Sequence, residues 1–170
     1  MSAVWRLATP ESSRDFGAAL AHGCPRSGTT VRSLYLQGEL GAGKTTIVQG
    51  LLHALGVTGP VRSPSYSFIE TYALPTSAQQ ADAPRVAVHV DLYRLDSAAE
   101  IETLGLREYF EAGTLVLLEW PERAAELLPS PDLLLTLELT QRERWCRLQP
   151  HTAAGATWAA AVLRLCVPQT

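Results

Sequence analysis

Gly38-Glu39-Leu40-Gly41-Ala42-Gly43-Lys44-Thr45 satisfies the pattern G-x-x-x-x-G-K-[ST] at every position. Its flanks complete the context that the pattern needs. Val31 to Gln37 reads as a strand running into the loop. Lys44 to Leu55 sets Ile47, Val48, Leu51, Leu52 and Leu55 at helical spacing until Gly56 stops the run. In a strand, glycine loop and helix of this kind, the glycines let successive backbone N–H groups turn inward at the positive end of the helix, where they wrap phosphate. Lys44 then neutralises charge on the outer phosphates, and the Thr45 hydroxyl is placed to coordinate Mg²⁺. The plain alternative is a glycine-rich turn with a surface lysine.

Composition speaks against that alternative. Lys44 is the single lysine among 14 basic residues, all the others being arginine. A solvated lysine has no reason to resist such a bias. A phosphate-binding lysine does, because it acts as a compact point charge where a planar guanidinium does not fit.

The rest of the composition sets bounds. A chain of 170 residues suits one domain, read here as spanning 1–170, and a domain of that size buries roughly 70% of its unfolded surface. Hydrophobic residues at 46% and charged residues at 18% are ordinary for a globular protein. Apolar runs such as Leu115 to Leu118 are far short of a membrane span, and Met1 to Thr9 has no secretory pattern. A cytoplasmic protein with no membrane partner is expected. Cys24, Cys146 and Cys166 are odd in number and widely spaced, which suggests packed, reduced thiols. A net charge of −3 disfavours general adhesion to nucleic acid, so any RNA contact is local or arranged by a partner.

Further along, Thr9-Pro10-Glu11-Ser12 starts a helix expected over Pro10 to Ala21. A turn-rich connection follows over 23–30. Val57 to Tyr72 reads as irregular, and Pro75 to Pro84 as an exposed polar loop. Val86 to Leu92 reads as a strand with Val86, Val88, Val90 and Leu92 on a core face and Ala87, His89, Asp91 and Tyr93 on a polar one. Ser97 to Phe110 is helical with a break near Gly105, and Thr114 to Leu118 is a buried strand that ends at Glu119-Trp120-Pro121. Leu133 to Leu139 and Glu143 to Leu148 suggest a C-terminal strand pair, whereas 152–165 fits either helix or strand.

A phosphate loop works with an acid at the end of a neighbouring strand, which holds magnesium or its water and positions the attacking water. Asp91 and Glu119 both fit, with solvent-facing strand ends as the alternative. His89 is as readily a hydrogen-bonded structural residue as a catalytic one.

Gly38 to Thr46, Ser63-Pro64-Ser65-Tyr66, His89-Val90-Asp91-Leu92-Tyr93-Arg94 and Leu118-Glu119-Trp120-Pro121 together resemble the bacterial TsaE family. That family is the ATPase of the tRNA threonylcarbamoyladenosine system. The pieces run in family order over about residues 10 to 135, and the His-x-Asp-Leu-Tyr-Arg run after the phosphate loop is the specific one. The resemblance implies a three-layer α/β P-loop fold, its sheet mainly parallel with helices on both faces, binding ATP and Mg²⁺. It also implies partnership with TsaB and TsaD, through which tRNA is met indirectly. Carried over residue by residue, it gives nucleotide binding to Gly38, Glu39, Leu40, Gly41, Ala42, Gly43, Lys44, Thr45 and Thr46. Thr45 and Asp91 go to the metal shell, where Glu119 also stands as a candidate. Catalysis goes to Glu119 with Lys44, and Trp120 accompanies Glu119 beside the γ-phosphate. Ser65 stands where the family usually has threonine. Its hydroxyl keeps a magnesium or γ-phosphate contact open, but the lost methyl loosens rotamer control.

A P-loop small-molecule kinase is the main rival, and it needs an acceptor pocket and an arginine-rich lid, of which the sequence shows no sign. A guanine-nucleotide switch needs Asn-Lys or Thr-Lys before x-Asp. The chain has no asparagine and no second lysine. A module that only retains nucleotide is disfavoured by acids at both strand ends.

Overall fold

A computed structural model describes residues 3–25, 31–75, 83–97, 100–140 and 143–168. The elements run in the order β1 (Ala3–Arg6), α1 (Pro10–Gly23), β2 (Arg32–Gly38), α2 (Lys44–Ala54), β3 (Ile69–Ala73), β4 (Val86–Asp91) and α3 (Glu100–Thr103). They continue with β5 (Thr114–Glu119), β6 (Leu133–Leu139), β7 (Arg144–Pro150) and α4 (Ala153–Leu165), with single 3₁₀ turns at Leu106–Tyr109 and Pro121–Arg123.

One seven-stranded sheet has the order β1-β7-β6-β2-β5-β4-β3. Its four middle strands, β6, β2, β5 and β4, are parallel, and β7, β1 and β3 are added antiparallel at the flanks. The C-terminal strand pair expected from the sequence is β6–β7. One face of the sheet packs Leu34, Leu36, Leu115 and Leu117 against Leu20, Ile47, Leu51 and Trp158 of the long helices α1, α2 and α4. The other packs Val88, Val90, Val116 and Leu118 against Ile101, Leu106 and the short helical turns. Helices cover both faces, unequally.

Local chemistry explains the elements. Thr9 accepts from Ser12 N at 3.1 Å, and Ser12 Oγ accepts from Thr9 N at 3.0 Å, a reciprocal cap that starts α1 at Pro10. Gly17 of α1 and Gly50 of α2 bring these helices into backbone contact. A Cβ at Gly17 would stand 2.2 Å from Ile47 O, and one at Gly50 2.1 Å from Arg14 O. This close crossing fixes the start of α2 relative to the sheet.

Several expectations need correction. The segment over 57–72 is not wholly irregular, because its end forms edge strand β3, and β1 was not foreseen. The second face of β4 is not a polar surface: Ala87 and His89 are fully buried and Asp91 nearly so, because parallel strands here are covered on both sides. Val86, assigned to the core face, is exposed at the strand's start. The undecided stretch over 152–165 is helix α4, capped where Thr152 Oγ1 accepts from Gly155 N at 2.9 Å. Most of the connection over 23–30 and of the loop over 75–84 lies outside the described residues. Among the described residues no helix is long and apolar enough to cross a membrane.

Candidate functional site

The carboxyl ends of the parallel strands form one edge of the sheet, where ligands of open α/β sheets bind. β2 delivers the glycine loop there, and β4 and β5 deliver Asp91 and Glu119, which are register partners on adjacent strands. Gly41 and Gly43 have φ of 80° and 98°, left-handed values that a side chain would strain. Gly43 is also the N-cap of α2, so the loop ends on the unsatisfied N–H groups of a helix start.

Lys44 is almost fully buried. Its Nζ donates to Gly38 O at 2.7 Å and Glu39 O at 3.0 Å, and lies 3.8 Å from the centroid of the Trp120 ring. Burial pulls its pKa below the ordinary lysine value, while the charges of Glu119, Glu122 and Asp91 push the other way.

Thr45 Oγ1 donates to Glu119, at 2.9 Å from Oε1 and 3.1 Å from Oε2. Because the threonine proton is committed to the carboxylate, the lone pairs of Oγ1 stay free for a cation. His89 Nε2 lies 2.8 Å from the same Oε1. A carboxylate only accepts, so the ring donates through Nε2–H, and buried Nδ1 has no partner among the described residues. Asp91 accepts from Tyr93 N at 2.9 Å through Oδ1 and from the Ser63 hydroxyl through Oδ2.

Trp120 closes one side. Its φ of 63° is left-handed, its N–H donates to Leu36 O at 3.1 Å, and its ring packs 5.0 Å from that of Tyr93. Arg94 lies 4.2 Å over the ring of Tyr66, which is 82% exposed at the rim.

Apart from His89, which lies behind it, and Tyr66 at the rim, these side chains line one cleft of about 570 Å³. Of the residues singled out in the sequence, Leu40, Gly41, Gly43, Lys44, Thr45 and Thr46 line it from the loop and α2. Ser65, Asp91, Glu119 and Trp120 line it from the other side. Gly38 and Glu39 serve it through the carbonyls that hold Lys44. Ala42 faces the other way, fully buried in the core beneath the loop. Ser63 was not singled out for a role, although its hydroxyl is the one bonded to Asp91. A separate cleft of about 300 Å³, lined by Tyr35, Leu128, Pro129 and His151 among others, contains none of these side chains.

Among the described residues no group of three or more His, Cys, Asp or Glu gathers to hold a metal ion. The donors present, one hydroxyl and two carboxylates, suit an ion such as Mg²⁺ that takes few protein oxygens and completes its shell with water and phosphate. Carboxylates crowding Lys44 also make the cleft acidic enough to call for a cation when phosphate enters. The residues therefore fit Mg²⁺ bound together with a nucleotide.

The family profile described as "Threonylcarbamoyl adenosine biosynthesis protein TsaE" matches residues 7–147. The chain belongs to the TsaE family. Curated TsaE relatives include that of Haemophilus influenzae, 37% identical over 122 residues covering 72% of each chain. That of Bacillus subtilis is 34% identical over 134 residues, covering 79% of this chain and 76% of the relative. Both are named tRNA threonylcarbamoyladenosine biosynthesis protein TsaE. The crystal structure of YdiB from Bacillus subtilis superimposes with a TM-score of 0.72 at 25% identity, covering 96% of this chain and 95% of YdiB. The TsaE match covers every element that bears the cleft, β2, α2, β4 and β5 included.

Proposed function

We propose that this chain is the ATP-hydrolysing component of the machinery that makes threonylcarbamoyladenosine in tRNA, residues 1–170 acting as one P-loop domain. Membership of the TsaE family and the names of its relatives support the tRNA-modification setting. The observation that carries the ATPase reading is the Thr45–Glu119 hydrogen bond, which joins the loop hydroxyl to the acid at the end of the neighbouring strand. Lys44, already desolvated, exchanges its carbonyl and indole contacts for outer phosphates as these enter the cleft. Thr45 and the two carboxylates would hold Mg²⁺, which, when bound, spreads the charge of the transferring phosphoryl group. Glu119 then lies where it can orient a water, and Trp120 shields that region from bulk solvent. Asp91, on the next strand, would contribute to the metal's outer shell.

TsaB and TsaD are the proposed partners, with tRNA met through them. Beyond Arg94, no arginine among the described residues lines the cleft to stabilise charge on the γ-phosphate. Hydrolysis by the isolated chain is therefore expected to be slow, and stimulation by a partner-supplied or partner-ordered group reaches roughly 10³- to 10⁵-fold in related sites.

Steady-state assays with the chain alone, with the pair, and with the pair plus tRNA test this. Lys44→Ala should abolish nucleotide binding or turnover with the fold intact. Glu119→Gln should keep affinity and lose about a hundredfold or more in turnover. Asp91→Asn should instead shift the Mg²⁺ concentration required. Parent-like turnover in Lys44→Ala would overturn the loop assignment, and a phosphorylated small molecule among the products would favour a kinase.

A further inference from the structure

Arg144 opens β7, on the face that carries Cys146 and Leu148 into the core under α1 and α2. Its guanidinium presses on the phosphate loop from behind. A Cβ built on Gly43 would stand 3.2 Å from Cζ and from Nε, and 3.4 Å from Nη1. One long hydrogen bond, Nη1 to Ser13 Oγ at 3.4 Å, ties it to the start of α1. Nε is buried and has no partner among the described residues. Arg6, Arg14, Arg107 and Arg147 each face a glutamate, whereas Arg144 has no carboxylate partner among the described residues.

This is a poor place for a cation if stability alone is considered. Arginine does not shed its charge. Helix N-termini are positive, so cations are favoured at the opposite end. Gly43 caps α2, and Ser13 lies just inside α1, so the guanidinium stands at the positive ends of two helices, with Lys44 as the residue after Gly43. Three sources of positive potential and an unpaired donor converge on one loop. An anion held in that loop removes the conflict.

We propose that Arg144 is a positioning residue for bound polyphosphate. It adds a fixed positive charge behind Gly43 that raises the loop's affinity for phosphate, without having to touch the ligand. This rests on the reading of the loop as a nucleotide cradle.

The test compares the full-length chain with Arg144→Gln and Arg144→Lys. Calorimetric affinities for ADP and for inorganic tripolyphosphate are measured at low and high salt, together with the melting temperature without ligand. Arg144→Gln is expected to weaken both ligands roughly tenfold at low salt, the scale of one partly screened charge a few ångströms away. Its unliganded melting temperature should equal or exceed the parent's, and its affinity should depend less on salt. Arg144→Lys, which keeps the charge, should stay within about threefold of the parent. Unchanged affinity in Arg144→Gln overturns the proposal while leaving the cradle in place. So does Arg144→Lys as weak as Arg144→Gln, or a lower melting temperature in Arg144→Gln, because each indicates a packing role. If the parent binds neither ADP nor tripolyphosphate, the nucleotide reading falls and this inference with it.

Discussion

His89 stands two residues before Asp91 on β4, yet its ring bonds Glu119 on the neighbouring strand. Glu119 Oε1 thus receives donors from His89 and Thr45, one from the core side and one from the loop. Removing the first should free the carboxylate to turn. His89→Leu is expected to lower turnover by about 10- to 100-fold, the usual cost of losing a partner that orients a functional group, with little change in ADP affinity. His89→Gln, whose amide can donate from nearly the same point, should recover part of the loss in single-turnover assays. Equal defects in both variants would mean that only packing is at stake. Lys44, Thr45, Asp91 and Glu119 are readable from the sequence because each sits in a local pattern: a glycine loop, or an acid at the end of an apolar run. The contacts of Ser63, His89 and Arg144 are not, although His89 itself stands out as a structural or catalytic candidate, because they are made with groups 28, 30 and about 100 residues away that only the strand register brings near.

Among the elements, the crossing of α1 and α2 has the tightest tolerance. Leu20, Ile47 and Leu51 make the crossing apolar, while Gly17 and Gly50 let the backbones meet. Gly50→Ala would normally favour a helix by up to about 1 kcal/mol. Here the added methyl meets Arg14 O and Cα, both backbone atoms that cannot swing aside. We expect a net loss of about 1–3 kcal/mol in urea unfolding, the range for overpacking, and a weaker nucleotide affinity because α2 carries Lys44 and Thr45. A stabilised variant would show that the helices separate at no cost. Long amphipathic helices and the apolar strands β2, β4 and β5 were readable from periodicity. β1 and β3 were not, because edge strands of four and five residues bury too few side chains to show a pattern. α4 stayed ambiguous because its many alanines carry little periodic signal, and Thr152 at its cap with Trp158 and Val162 at helical spacing decides it.

At the scale of the molecule, the cysteines are packed, as their spacing suggested: Cys24 and Cys146 are buried and Cys166 partly so, with no disulfide among the described residues. Burial pushes the Cys146 thiol from its ordinary 9.0 up to about 12. A group raised in this way favours the fold while protonated. Its contribution is complete below about pH 9 and is lost as the pH rises toward 12. Tyr72, raised from 10.0 to about 12 by burial and its bond to Glu70, adds in the same sense, while Lys44, lowered by burial, opposes it. The test is therefore a difference. Between pH 8 and 10.5 the urea midpoint of Cys146→Ala should fall less steeply than the parent's, and parallel slopes would show that the thiol does not titrate with unfolding. Sheet order was beyond the sequence, since strand pairing between distant segments leaves no local trace. It also sets a timetable. Among the described residues β2 pairs with β5 and β6, which follow it by about 80 and 100 residues. On a ribosome the glycine loop emerges early, after α1 but before either strand that will flank β2. It becomes a folded cradle only after about three-quarters of the remaining chain has been made, so nucleotide can reward folding only in its last stage, when distant strands close around β2.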